Sequence, residues 1–294
     1  MHVLRLTAFA SDPEGGNPAG VVLDARGLSA ERMQAIAAEV GYAETAFVTE
    51  PPSPARPARV GIRYFSPTAE VPFCGHATVA TAVAIADGLG EATAPPPADG
   101  VLLFVTPVGD VRIRTSAGDS GTIASFTSVE PVVADIDADV LARLLSLLGL
   151  GEGDLHPAHP PRLSFAGNTH PIVVLADDDR FDAVTFDPAR ARALMDEQGW
   201  AGTITVAHPL ETGTGYEARN IFPVGTMNED PATGSAAAAL GAYLRVLGLV
   251  TPPGRVLIHQ GRHVGRPGLL TVDIPERGGI VVSGTATLIT KSPR

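Results

Sequence analysis

Three short stretches of the 294-residue chain carry residue types that can move a proton or hold an anion. In Tyr42-Ala43-Glu44-Thr45-Ala46-Phe47-Val48 a single carboxylate stands among mostly apolar neighbours. Desolvation would raise its pKa, towards the range in which one group can serve first as base and then as acid. Cys74-Gly75-His76 sets a thiol and an imidazole two residues apart, and Asp230-Pro231-Ala232-Thr233-Gly234-Ser235 sets a carboxylate and a hydroxyl about a glycine. Each position also has a plainer reading. Glu44 could be a solvated carboxylate on a strand's polar face, since most glutamates are exposed, and His76 a satisfied core residue. Asp230 could be a turn or capping residue, and Gly234 and Ser235 small packing residues. Taken alone, the residues leave both readings open.

Two segments must position these groups. From Ala77 through Ala86 every residue is small or apolar; as a helix about 15 Å long it would have no polar face and would need enclosure on every side. A strand is the rival, because Val79, Thr81, Val83 and Ile85 alternate with smaller residues, but it would be long and would leave a row of Ala and Thr with little to pack. Ser235-Ala236-Ala237-Ala238-Ala239-Leu240 predicts a second helix on propensity, with Pro231 tolerated near its start. A helix start offers unpaired backbone N–H groups at the positive end of the dipole, suited to a carboxylate, and glycine permits close approach.

Taken in order, Val3–Phe9 predicts a strand, Asp12–Gly20 a Gly/Pro loop and Val21–Leu23 a second strand. Ser29 is placed to cap a helix running to about Glu39, with Met33, Ile36 and Ala37 on one face and Gly41 at its end. Pro95–Pro97 reads as a surface loop, and Leu102–Thr106 with Val111–Thr115 as a hairpin. Ile123–Val129 predicts a strand, Asp137–Leu148 a helix, and Asp187-Pro188 the start of another. Four landmarks recur in the same order: Asn17 and Asn168, Phe65 and Phe222, Gly75 and Gly234, Val101 and Val256, all 151 to 159 residues apart. The collinearity implies two copies of one β-rich domain, each wrapped around a central helix and related by a pseudo-twofold axis. The expected division is 1–118 plus 284–294 against 119–283, with the starts Gly75-His76 and Gly234-Ser235 facing each other across an active-site cleft.

Composition limits the partners. A net charge of −11 argues against nucleic acid or an anionic membrane, and the first residues lack the pattern of a signal peptide. One cysteine cannot form an internal disulfide, so a cytoplasmic location is expected. His259 and His263 share no helical face, His156 and His159 lie in a Pro-rich loop, and no metal set emerges.

The pieces Gly16-Asn17-Pro18-Ala19-Gly20-Val21, Gly41-Tyr42-Ala43-Glu44-Thr45-Ala46-Phe47-Val48, Cys74-Gly75-His76-Ala77-Thr78 and Glu229-Asp230-Pro231-Ala232-Thr233-Gly234-Ser235-Ala236 together resemble the signature set of the PhzF (phenazine biosynthesis protein) family. The resemblance implies an α+β, diaminopimelate epimerase-like fold of two barrels with a helix inside each. It implies a cofactor-independent isomerase, acting on a small, unsaturated carboxylate with a cyclic one favoured, and a homodimer. By the same resemblance Glu44 moves the proton, His76 and Asp230 line the site, and Ser235 helps hold the substrate; Asn17 and the helix-start glycines Gly75 and Gly234 complete the expected binding set. Ala43 and Ala46 stand where the family often has Ser and Thr, and Thr7 replaces a common Asp, which bears on substrate choice more than on mechanism.

Two rival readings remain. Racemases of this fold use two opposed thiols, and Pro231-Ala232-Thr233-Gly234 supplies no second cysteine. That leaves Cys74 as a small buried residue or as the thiol of a one-thiol epimerase. The other rival is a small-molecule-binding protein that kept the fold and lost turnover; retention of Glu44, which binding alone would not require, speaks against it.

Overall fold

In the computed structural model the described residues are 2–290, apart from 54, 91–98, 212, 214 and 225–226. The loop expected at Pro95–Pro97 lies outside them. The chain divides into two compact units, Met1–Thr127 with Ser283–Arg294, and Ser128–Val282.

The first unit holds β1 (Leu4–Ala8), β2 (Asn17–Val22), α1 (Ala30–Val40), β3 (Glu44–Glu50), β4 (Ala58–Phe65), β5 (Glu70–Val71), α2 (Gly75–Ala86), β6 (Val101–Thr106), β7 (Gly109–Gly118) and β8 (Gly121–Thr127). The second holds β9 (Val132–Asp135), α3 (Ala138–Leu147), β10 (Arg162–Phe165), β11 (Thr169–Val174), α4 (Asp178–Asp182), α5 (Pro188–Gln198), β12 (Ile204–Pro209), β13 (Gly215–Val224), β14 (Met227–Asp230), α6 (Gly234–Val246), β15 (Gly254–Gln260) and β16 (Gly268–Ile274). The last strand, β17 (Val281–Leu288), runs back into the first unit.

In the first unit the ladders run β1-β2-β3-β4-β6-β7-β8-β17 and return to β1, an eight-stranded closed barrel. Closure leaves no open edge. Helix α2 packs against β1, β2, β3, β7 and β8, and its residues from His76 to Ile85 are all buried. Helix α1 is capped by Ser29, whose hydroxyl accepts from the Arg32 N–H, and is ended by Gly41 at φ 73°. It lays Met33 and Ile36 on Val22, Phe47 and Phe65.

The second unit repeats the order of pairing. β10–β11 is antiparallel, β11–β12 parallel, β12–β13 antiparallel, β13–β15 parallel and β15–β16 antiparallel. These match β1–β2, β2–β3, β3–β4, β4–β6 and β6–β7 in sense. Helix α6 packs on β9, β10, β11 and β16, and Gly241 lets it sit close, since a Cβ there would lie 2.7 Å from Val272 Cγ1. Helices α3, α4 and α5 cover β11–β13 through Leu144, Phe181, Leu194 and Trp200.

The structure departs from the sequence reading at two edges. Strand β8 groups with the first unit because it pairs with β7 and β17, so the division falls at Thr127/Ser128 and Val282/Ser283, later in the first case than the expected residue 118. Strand β2 begins at Asn17, inside the expected loop. Pro18 lies at the start of the strand, where only β1 is paired and the β3 ladder begins one residue later at Ala19, a one-sided position of the kind in which strands tolerate proline.

Two packing features lead to testable outcomes. Arg219 of β13 is buried against Glu229 of β14, Nη2 to Oε2 at 2.9 Å, and donates to the Val184 carbonyl at 2.9 Å. Arg219→Met would leave Glu229 buried without its cation, at a cost of about 3 to 5 kcal/mol, read as a lower urea midpoint. Burial also pushes the His76 imidazole down to about 3, and that of His170 down to about 4 against the opposing pull of the Thr203 main-chain carbonyl, 3.1 Å from Nδ1. Both are therefore neutral when folded at pH 7, whereas an unfolded imidazole takes up a proton near its ordinary 6.5. Below that pH the unfolded state binds more protons, so stability is full above about pH 6.5 and is lost as pH falls towards 4. Urea unfolding at pH 7.5 and 4.5 should differ by about 2 to 3 kcal/mol per histidine, and a flat profile would contradict neutral burial.

Candidate functional site

In the first unit, strand β3 and the start of α2 bring together Glu44, Cys74 and His76. Glu44 is the first residue of β3, and Cys74 is the N-cap of α2 without a side-chain capping bond. The helix start is pinned from below. Thr78 Oγ1 donates to the Cys74 carbonyl at 2.7 Å, which commits its proton and makes the Tyr64 hydroxyl, 2.6 Å away, the donor to Thr78.

His76 Nε2 lies 3.4 Å from Glu44 Oε2, and Cys74 Sγ lies 3.5 Å from the same oxygen and 3.4 Å from His76 Nδ1. The imidazole and carboxylate are near enough for an ion pair, yet burial keeps the imidazole neutral, so it faces Glu44 as a dipole. This arrangement can pass a proton among three titratable groups. Carboxylate, thiolate and imidazole are also zinc-type donors, and these three lie within 4.8 Å of one another; the sequence spacing did not reveal that grouping. A second grouping, Asp178, Asp182 and Glu217, faces Arg262, whose guanidinium bonds Asp182 and Glu217. Asn17, the first residue of β2, is buried.

In the second unit Asp230 closes β14, and Gly234 and Ser235 open α6. Thr233 Oγ1 donates to Asp230 Oδ2 at 2.6 Å. Gln260 of β15 holds the turn by donating to the Asp230 carbonyl at 2.6 Å and accepting from the Thr233 N–H at 3.1 Å. Thr233 is the N-cap yet makes no side-chain capping bond, its hydroxyl being given to Asp230. Ser235 Oγ lies 3.1 Å from Nε2 of buried His170 on β11.

Sequence reasoning missed three of these roles: the contacts of Cys74, the brace supplied by Gln260, and the contact of His170 with Ser235. A thiol one residue before a helix start and near a carboxylate-bearing strand was the available signal for the first. Nothing local marks the other two, since their partners are 27 to 65 residues away.

Comparison with known proteins gives a consistent picture. The family model described as phenazine biosynthesis-like protein matches residues 6–292. The isomerase YddE of Escherichia coli K12, whose name marks it as uncharacterized, is 33% identical over 98% of this chain and 96% of its own. The trans-2,3-dihydro-3-hydroxyanthranilate isomerase of Pseudomonas chlororaphis is 32% identical over 92% of this chain and 88% of its own. The crystal structure of the PhzF-family phenazine biosynthesis protein of Bacillus anthracis superposes with a TM-score of 0.82 at 27% identity, covering 98% of this chain and 96% of that one. Among the described residues no helix is long and apolar enough to cross a membrane. With matches that span nearly the whole chain and relatives named as isomerases, this protein belongs to the PhzC-PhzF, phenazine biosynthesis-like family and is an isomerase.

Proposed function

We propose that the protein is a cofactor-independent isomerase that shifts a proton along a small, unsaturated carboxylate, cyclic by preference, with Glu44 as the single acid/base. The observation that carries this reading is the contact of the Glu44 carboxylate with neutral His76 and with Cys74 at the start of α2. Glu44 takes a proton from a carbon beside a double bond, the electron pair moves across that bond, and the same carboxyl returns the proton at the far carbon. No atom is gained or lost. His76 and Asp230 serve as polar partners, and each helix start, α2 at Gly75 and α6 at Gly234-Ser235, offers N–H groups suited to a carboxylate, with Asn17 in the binding set. Neither N-cap uses its side chain on the helix, which suits N–H groups kept for a ligand. A cytoplasmic homodimer is part of the same proposal.

The position of Cys74, 3.5 Å from Glu44, favours one second reading, in which the thiol carries the proton and Glu44 activates it. Mixing the protein in heavy water with trans-2,3-dihydro-3-hydroxyanthranilate and related cyclic unsaturated acids, followed by NMR, separates the readings. Glu44→Gln should lower deuterium uptake by about 10²- to 10⁴-fold while ligand affinity stays within a few fold, and Cys74→Ala should retain most of the activity. Loss of uptake in Cys74→Ala equal to that in Glu44→Gln would favour the thiol, and binding without exchange in the wild type would favour a binding protein.

A further inference from the structure

We propose that His170 is a positioning residue that fixes the Ser235 hydroxyl as a hydrogen-bond donor, so that the start of α6 selects a ligand group that accepts, such as a carboxylate. This deepens the function proposed above and rests on its reading of Ser235 as a substrate contact.

His170 is buried on β11, and its two ring nitrogens meet different partners. On the Nδ1 side, the Thr203 N–H donates at 3.0 Å, and the Thr203 hydroxyl lies at 3.0 Å. That hydroxyl's own proton goes to Asn220 Oδ1 at 2.6 Å, an oxygen that also accepts from Thr205 Oγ1 at 2.8 Å. The Thr203 carbonyl also lies 3.1 Å from Nδ1, but the direction of the Thr203 N–H is fixed by its peptide plane, and a hydrogen on Nδ1 would meet it head-on; Nδ1 therefore accepts, and a neutral imidazole then carries its hydrogen on Nε2. The partner of Nε2 is Ser235 Oγ at 3.1 Å. With one lone pair of Ser235 occupied by that N–H, its own hydrogen is turned away from His170 and can serve an acceptor.

The ring has little freedom to choose otherwise. A Cβ at Gly202 would stand 2.6 Å from His170 Cε1 and 2.7 Å from Nδ1, so the backbone beside Thr203 lies against the imidazole edge. Burial opposes the charged form, and in that neutral state the direction of the chain from Thr203 through His170 to Ser235 is set.

Two substitutions separate the ring's two sides. His170→Asn keeps an acceptor near the Nδ1 position but cannot reach Ser235, whereas His170→Gln places an amide N–H near the Nε2 position. Two-dimensional NMR of ¹⁵N-histidine-labelled protein at pH 7.5 should show His170 protonated on Nε2; protonation on Nδ1 overturns the proposal. Calorimetric titration with trans-2,3-dihydro-3-hydroxyanthranilate should then show binding weakened about tenfold by His170→Asn, restored to within a few fold by His170→Gln, and weakened no further when Ser235→Ala is added to His170→Asn. Additive losses, or unchanged binding in His170→Asn where Ser235→Ala weakens it, would also overturn it. If Ser235→Ala has no effect on binding, or the wild type does not bind the compound, the underlying reading of Ser235 fails and takes this proposal with it, a result recognisable because the Nε2 tautomer would still be found.

Discussion

A helix with no polar face must be enclosed on all sides, and that constraint shapes both units. Helix α2 is buried from His76 to Ile85 inside a closed barrel, and α6 is buried from Ala236 to Leu244 against β9, β10, β11 and β16. Inside such a wall a helix satisfies its own mid-section, and the unsatisfied backbone groups collect at its ends. Each unit fixes its helix start with hydroxyl and amide groups: Tyr64 and Thr78 below Cys74, and Gln260 and Thr233 beside Asp230. The polar groups thus do two things at once, satisfying the chain and aiming a small number of side chains.

The same burial decides how those side chains behave. His76 and His170 are held neutral, so each acts through one N–H and one lone pair rather than as a cation. A neutral neighbour stabilises a carboxylate less than a cation would, which suits the proton-transfer role proposed for Glu44. The buried Arg219–Glu229 pair takes the other course. There the charges are matched, and the guanidinium also meets main-chain carbonyls, which anchors the strand pair ending at Asp230.

The fold was legible in the sequence to the extent that its signals were local or periodic. Ser29 and Gly41 bracket α1 as capping chemistry requires, Asp187-Pro188 opens α5, and the collinear landmarks correspond to matched ladders in the two units. Short strands such as β5 and β14, and the proline-bearing start of β2, were not legible, because a two- to six-residue strand is defined by its partner more than by its own pattern.

The sequence by itself determined which residues could do chemistry, Glu44, His76 and Asp230, that the run from Ala77 to Ala86 needed enclosing as a helix, and that an alanine-rich second helix follows Gly234, because residue type and hydrophobic run are properties of the chain. Only the tertiary structure decided what each group meets. It placed the Cys74 thiol against both Glu44 and His76, assigned β8 to the first unit, and set His170 on Ser235 across 65 residues of chain. The reason is physical: a proton's position depends on partners within about 3 Å, and those partners come from strands and helices that only folding brings together.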